Sequence, residues 1–223
     1  MKIKLLVAPL LSLMVFLTGC MDDDVPPPAA MVEYTVTFDA TWSAATHPTD
    51  FPANPHFSPL VGLTHNASFS LWADGGTATA GMETVAETGG TATLLTEIAA
   101  AIADGSGHAQ LLDSGNIGLS PGSTSLTFTA HIDHPLVSLV SMIAPSPDWF
   151  VGVHDLSLLS NGQWQQSITV DLVPWDAGTD SGSTYTSADA DVTPHQPITE
   201  ITGAPLASGG MVAPLGTYTF TRL

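Results

Sequence analysis

The sequence has 223 residues, with 3 Lys and Arg against 21 Asp and Glu and a formal charge of −18 when His is neutral. That balance excludes a nucleic-acid footprint and a basic patch for anionic headgroups, because both need Lys and Arg in place of counterions. With 44% hydrophobic and only 11% charged residues the chain is too apolar for disorder, and 20 Gly and 17 Pro among many Thr, Ser, Ala and Val predict an all-β domain rich in turns.

In chain order, Lys2 and Lys4 precede an almost unbroken apolar stretch over Leu5–Leu17, the layout of a secretory signal over residues 1–19. The stretch falls short of the roughly 20 residues an ordinary transmembrane helix needs. Leu17-Thr18-Gly19-Cys20 resembles the bacterial lipobox, in which the Cys is lipidated and becomes the new N-terminus. Cys20 is the single Cys of the chain, so disulfides within the chain and Cys-based zinc sites are excluded. Residues 20–31 carry Asp22, Asp23, Asp24 and Pro26-Pro27-Pro28 and read as an extended, unpacked tether. The expectation is a domain over 32–223 held to a membrane through a lipid on Cys20, in the bacterial cell envelope. Met21 after the Cys favours the outer membrane, by resemblance to enterobacterial sorting. Removal of the signal leaves Arg222 as the one basic side chain.

Val32, Tyr34, Val36 and Phe38 alternate with polar residues and predict a half-buried strand. The stretch holding Pro48, Pro52, Pro55 and Pro59 is a long loop. Ala67–Trp72 reads as a short strand, and Thr91–Ala103 is a helix with Leu94, Leu95, Ile98 and Ile102 on one side. Leu126–Ile132 alternates, Leu136–Ile143 is apolar enough to be central, and Tyr218 and Phe220 mark a final strand. Phe150–Leu158 and Gln166–Val173 flank Asn161-Gly162, a strong hairpin signal. The expected fold is an antiparallel β-sandwich with one or two short helices in its connections.

A two-residue loop at Asn161-Gly162 sets Ser160 opposite Gln163, and extending that register puts residue 148 opposite residue 175. Asp148 and Asp176 then reach the same open end, where opposed Cα atoms stand about 4.5–5.5 Å apart. Asp180 follows across Ala177-Gly178-Thr179, and Gly178 and Gly182 permit a tight loop that turns it inward. Three carboxylates without a protein cation are either solvated turn acids or the oxygen ligands of a hard divalent cation, Ca²⁺ before Mg²⁺.

Four stretches resemble the spondin N-terminal domain family of F-spondin and mindin. They are Phe57-Ser58-Pro59-Leu60-Val61-Gly62 with His65-Asn66; His134-Pro135-Leu136-Val137-Ser138-Leu139-Val140-Ser141-Met142; Pro145-Ser146-Pro147-Asp148-Trp149-Phe150-Val151-Gly152-Val153; and Pro174-Trp175-Asp176-Ala177-Gly178-Thr179-Asp180-Ser181-Gly182. The resemblance implies an antiparallel β-sandwich with Ca²⁺ at one end, held by Asp148, Asp176 and Asp180, acting in surface or matrix recognition. Two departures stand out. His154 occupies a position where the animal sequences tend to carry an acid, and the basic residues of their glycosaminoglycan contacts are missing.

Among other residues, His131 and Asp133 share a strand face from which His134 points away, so they read as a capped strand end rather than a metal site. His47, His56, His108 and His195 fall in loops and are expected to be solvated. Trp149 and Trp175 flank the acidic end and are candidates for ligand contact. No nucleophile elbow or zinc-protease motif occurs. The expected function is a lipid-anchored, Ca²⁺-binding module without catalysis that recognises a surface protein or glycan. The alternatives are a hydrolase working on polysaccharide at the acidic end, or a purely structural surface lipoprotein.

Overall fold

The computed structural model describes residues 26–113 and 115–223. The expected signal, Cys20 and the acidic part of the tether lie outside the described residues. In chain order the elements are β1 (Met31–Ala40), β2 (His56–Phe57), β3 (Val61–His65), α1 (Ala80–Thr88), α2 (Ala92–Ala103), β4 (Gly107–Leu112), β5 (Gly122–His131), β6 (Leu136–Ala144), β7 (Trp149–Ser157), β8 (Leu159–Ser160), β9 (Gln163–Trp164), β10 (Ser167–Asp171), β11 (Pro174–Asp176), β12 (Thr199–Glu200) and β13 (Gly216–Arg222). One antiparallel sheet runs β10-β13-β1-β5; the other runs β12-β11-β7-β6-β3-β4, with β2 also paired to β6. The expected all-β sandwich is the observed architecture.

Alternation in β1 divides it cleanly. Tyr34, Val36 and Phe38 are fully buried between the sheets, while Thr35 and Thr37 face outward and Thr35 bonds Thr127 at 3.0 Å. Tyr218 and Phe220 of β13 join the same core, facing Val137, Leu139 and Ile143 of β6. β6 is apolar on both sides because it is covered twice. Its odd-numbered residues enter the inter-sheet core, whereas Val140 packs outward with Phe150 under Met82, Val85, Leu94 and Ile98 of the two helices.

Sequence periodicity located α2 but not α1. The signals for α1 are local: Thr79 Oγ1 accepts the Met82 N–H at 3.2 Å as N-cap, and Gly89 ends the helix with φ +70°. Ala67–Trp72 is not a strand. Asn66 Oδ1 accepts both the N–H and the hydroxyl of Ser68, at 2.9 and 2.6 Å, which turns the chain. Leu71 and Trp72 are buried all the same. Part of the expected tether is packed, since the Pro26 and Ala29 carbonyls accept bonds from Gln163 and from Trp164 Nε1.

The Asn161-Gly162 hairpin forms with the expected register, Ser160 opposite Gln163 and Leu159 opposite Trp164. Beyond it the two arms part. β10 crosses to the other sheet to pair with β13, and the chain returns as β11 beside β7. The resumed pairing sets Asp176 opposite Trp149, two residues away from the extrapolated register.

The two helices approach closely at Gly81, where an added Cβ would lie 2.7 Å from the Leu94 Cα. Gly81→Ala is expected to destabilise the protein by about 1–3 kcal/mol through overpacking. The urea midpoint should fall at constant m-value; an unchanged midpoint would show that α1 separates from α2 at no cost.

Candidate metal centre at the acidic end of the sandwich

Asp148 sits in the turn that opens β7, where Ser146 Oγ accepts the Trp149 N–H at 3.1 Å. It is 0% exposed. Its Oδ2 accepts the N–H groups of Thr179 at 2.8 Å and Asp180 at 3.1 Å, and its main-chain oxygen accepts the Ala177 N–H at 3.1 Å. Its Oδ1 is buried without a hydrogen-bond partner. Asp176 closes a turn by accepting the Gly178 N–H at 2.8 Å; Gly178 has φ +72°, a conformation that favours glycine. Asp180 is 6% exposed and is held by the N–H groups of Gly182 and Ala190. The three expected acids therefore reach one end of the sandwich, through the return of β11 rather than through a continuous hairpin.

A fourth acid joins them. Glu87, in the last turn of α1, lines a cleft of about 210 Å³ with Ser146, Asp180 and Asp189, and its Oε1 is buried without a partner. It was not legible in the sequence because α1 was not. Burial pushes the Asp148 carboxyl above its ordinary range, and the Asp180 charge adds to the rise against the pull of the Asp180 and Thr179 N–H groups. Burial and the charge of Asp148 push Asp176 up to about 6. Burial also raises Glu87, against a pull from the Thr179 side chain, and the charges of Glu83, Asp148 and Asp180 add to the rise. Arg222, the one Lys or Arg among the described residues, bonds the Trp164 carbonyl at 3.2 Å at the far end of β7, roughly 25 Å away at strand spacing.

The oxygens of Asp148, Asp176 and Asp180 are spread more widely than those of a second cluster. Glu83, Asp191 and His195 each present one ligand atom, and these atoms lie within 4.8 Å of one another.

Of the two candidate contact residues, Trp149 is 3% exposed and packs against Tyr185, so it offers no face to a ligand. The resumed register brings Trp149 opposite Asp176, and alternation along β7 puts its ring with Val151 and Val153 in the inter-sheet core. Trp175 is part-exposed and lines a shallow groove with Trp72, His154 and Asp171.

Several histidines depart from expectation. His47 is buried, with Nε2 3.1 Å from the Ala213 carbonyl. His131 and His134 close a tight bridge that brings both rings near His108, with centroids 5.2 and 5.4 Å from it, the His134 ring stacked and the His131 ring tilted. Strand parity fails there because the strand ends at His131. His65 Nε2 lies 2.8 Å from Ser138 Oγ, yet both residues are 0% exposed and no substrate can reach them.

Residues 32–208 match the sequence profile of the Spondin_N family. Over 177 residues the chain is 34% identical to spondin-2 of Rattus norvegicus, covering 78% of this chain and 54% of the relative. Against human spondin-2 the identity is 36% over 179 residues, again with 78% and 54% covered. Against human spondin-1 it is 35% over 179 residues, covering 76% of this chain and 22% of the relative. The chain thus spans about half the length of the spondin-2 proteins and about a fifth of spondin-1.

The raised carboxyls fix a pH dependence for the metal-free protein. Between the ordinary carboxylate range near pH 4 and about pH 6, folded Asp176 retains a proton that the unfolded chain has released, and the raised Asp148 and Glu87 carboxyls act in the same direction. Stability in EGTA is therefore expected to fall as pH rises through that window. Asp176 contributes at most about 3 kcal/mol to the fall, at 1.36 kcal/mol per pKa unit. Asp176→Asn should flatten the plot of urea midpoint against pH; identical slopes in the two proteins would contradict the assignment.

Proposed function

The chain belongs to the spondin N-terminal domain family, and from that premise we propose that it is a non-catalytic adhesion or recognition module whose acidic end is organised by a bound Ca²⁺. One observation carries the metal reading. Asp148 buries a carboxylate with an unpartnered oxygen, and a buried charge is retained only when something neutralises it. With Asp176, Asp180 and Glu87 converging and Arg222 at the opposite end, no Lys or Arg among the described residues can serve. Asp148, Asp176 and Asp180 would hold the ion. Loop carbonyls and water would complete the six to eight oxygens that Ca²⁺ takes. Ca²⁺ supplies the balancing charge there and fixes the loops; the residues themselves orient one another through the Thr179, Asp180, Gly182 and Ala190 N–H groups.

The recognition reading rests on the relatives, which are spondins, and the absence of catalysis is consistent with the inaccessible Ser138–His65 pair. The partner is a surface protein or glycan, with Trp175 the aromatic available for contact. Attachment is through a lipid on Cys20 in the bacterial cell envelope, on the motif at residues 17–20. No helix among the described residues is long and apolar enough to cross a membrane.

Thermal unfolding of the purified protein in EGTA and in Ca²⁺ tests the metal. At 100 times the Kd, Ca²⁺ should stabilise by about 2.7 kcal/mol, and Asp148→Asn or Asp176→Asn should remove the gain. A missing shift, or an equal one in the variants, sinks the site. A glycan and surface-protein array probed in Ca²⁺ tests recognition: signal lost in EGTA is expected. A blank array with the Ca²⁺ shift intact leaves the ion structural, and polysaccharide hydrolysis lost in Asp148→Asn would make the protein a hydrolase.

A further inference from the structure

Helix α1 presents a second carboxylate one turn before Glu87. Glu83 Oε1 stands 3.8 Å from His195 Nε2, and an oxygen of Asp191 completes a group of three ligand atoms within 4.8 Å of one another. The three come from two separate segments, α1 and the loop at 191–195. That loop is pinned at several points. The Val192 N–H donates to the Thr179 carbonyl at 2.8 Å, the Gln196 N–H to the Gly178 carbonyl at 2.8 Å, and the Ile198 N–H to the Gly76 carbonyl at 2.7 Å.

The imidazole is oriented from outside the cluster. His195 Nδ1 lies 3.3 Å from the Ala78 carbonyl oxygen. A carbonyl can only accept, so Nδ1 carries the hydrogen, and in the neutral ring Nε2 then bears a lone pair. That lone pair faces a carboxylate oxygen, an arrangement that repels unless a proton or a metal ion lies between them. A ring whose far nitrogen is fixed by a main-chain carbonyl is the usual setting of a metal-ligating histidine.

We infer that Glu83, Asp191 and His195 form a second cation site, for a first-row divalent ion of the Zn²⁺ class, separate from the carboxylates of Asp148, Asp176 and Asp180. The donor set decides the class. Imidazole suits Zn²⁺ and its neighbours, whereas Ca²⁺ and Mg²⁺ take oxygen ligands. Ligand atoms about 2.05 Å from a tetrahedral Zn²⁺ stand about 3.4 Å apart, so the Glu83–His195 pair needs to close by only a few tenths of an ångström. The ion can enter from solvent, since the Glu83 and His195 side chains are 30% and 21% exposed and Asp191 is exposed. Water fills the remaining position. Bound there, the ion clamps α1 to the loop that also gives the Ala190 N–H to Asp180.

The test titrates the purified protein with Zn²⁺, with and without excess Ca²⁺, by calorimetry, and with Co²⁺ as a visible-absorption probe. One equivalent of Zn²⁺ should bind in both conditions. Co²⁺ should give the intense d–d bands of a four- or five-coordinate centre. Glu83→Gln and His195→Ala should each weaken Zn²⁺ binding by at least about tenfold, while Asp176→Asn should leave it unchanged. Glu83→Gln is isosteric on a part-exposed helix position and keeps the test open if His195→Ala does not fold, as does the ¹⁵N signal of His195 Nε2, which should move on Zn²⁺ addition. No Zn²⁺ binding, or a His195 signal that moves only with pH, would identify the cluster as an imidazolium ion pair. Binding that survives in Glu83→Gln but disappears in His134→Ala would place the ion among His108, His131 and His134. Each of these results overturns the inference. Because the Zn²⁺ arm is also run without Ca²⁺, loss of the Ca²⁺ reading leaves this result interpretable.

Discussion

The buried carboxylate of Asp148 organises one whole end of the sandwich. Its Oδ2 and its main-chain oxygen together take the N–H groups of Ala177, Thr179 and Asp180, which wraps that loop around a charge excluded from water. The wrapped loop then offers the carbonyls of Gly178 and Thr179 to Gln196 and Val192, and the strand beyond them bonds Gly76 just ahead of α1. Asp148 thus holds the loop at 177–182 directly and the loop at 190–198 through it. Hydrogen bonds to a carboxylate are among the stronger kind, and in a dry environment they fix geometry that exposed loops would lose. They satisfy only half of the group. The unpartnered Oδ1 is where this end departs from the rule that buried polar atoms are paired.

The strands were largely legible because their pattern is local. Alternation in Tyr34, Val36 and Phe38, the doubly apolar run of β6 and the Asn161-Gly162 turn each declare themselves within a few residues. The site was legible only in part. Asp148, Asp176 and Asp180 do gather, but β10 leaves for the opposite sheet and β11 returns with a register two residues away. Nothing near Gln165 marks that crossing, since a strand with one buried face looks the same in either sheet. Trp149 faces the core with Val151 and Val153 by alternation along β7, while Trp175 lies on the other side of its sheet. Glu87 and Glu83 were hidden because α1 has a weak apolar stripe and declares itself through Thr79, Gly81 and Gly89. His195 joins residues far away in the chain, and no spacing rule reaches it.

Charge distribution carries the functional argument more than net charge does. Most of the acids are solvated and cost little. The carboxylates around Asp148 do not have that option, and with Arg222 at the other end no Lys or Arg among the described residues stands beside them. Burial gathers Asp148, Asp176 and Asp180 at one end, within the stretches that carry the resemblance to the family. The family comparison covers only part of the spondins, so it speaks for this domain and its fold, while the chemistry of the site rests on the side chains.

The docking of Pro26 and Ala29 beside Trp164 gives the domain a direction. The chain enters at the β8–β9 hairpin, and β7 separates that point from Asp148 by its whole length. Any attachment made upstream of Pro26 therefore holds the molecule by the pole that bears Arg222 and points the carboxylate pole outward. The outward pole would then be the first part met by an approaching partner, and divalent ions in the medium would reach it without crossing the headgroup layer.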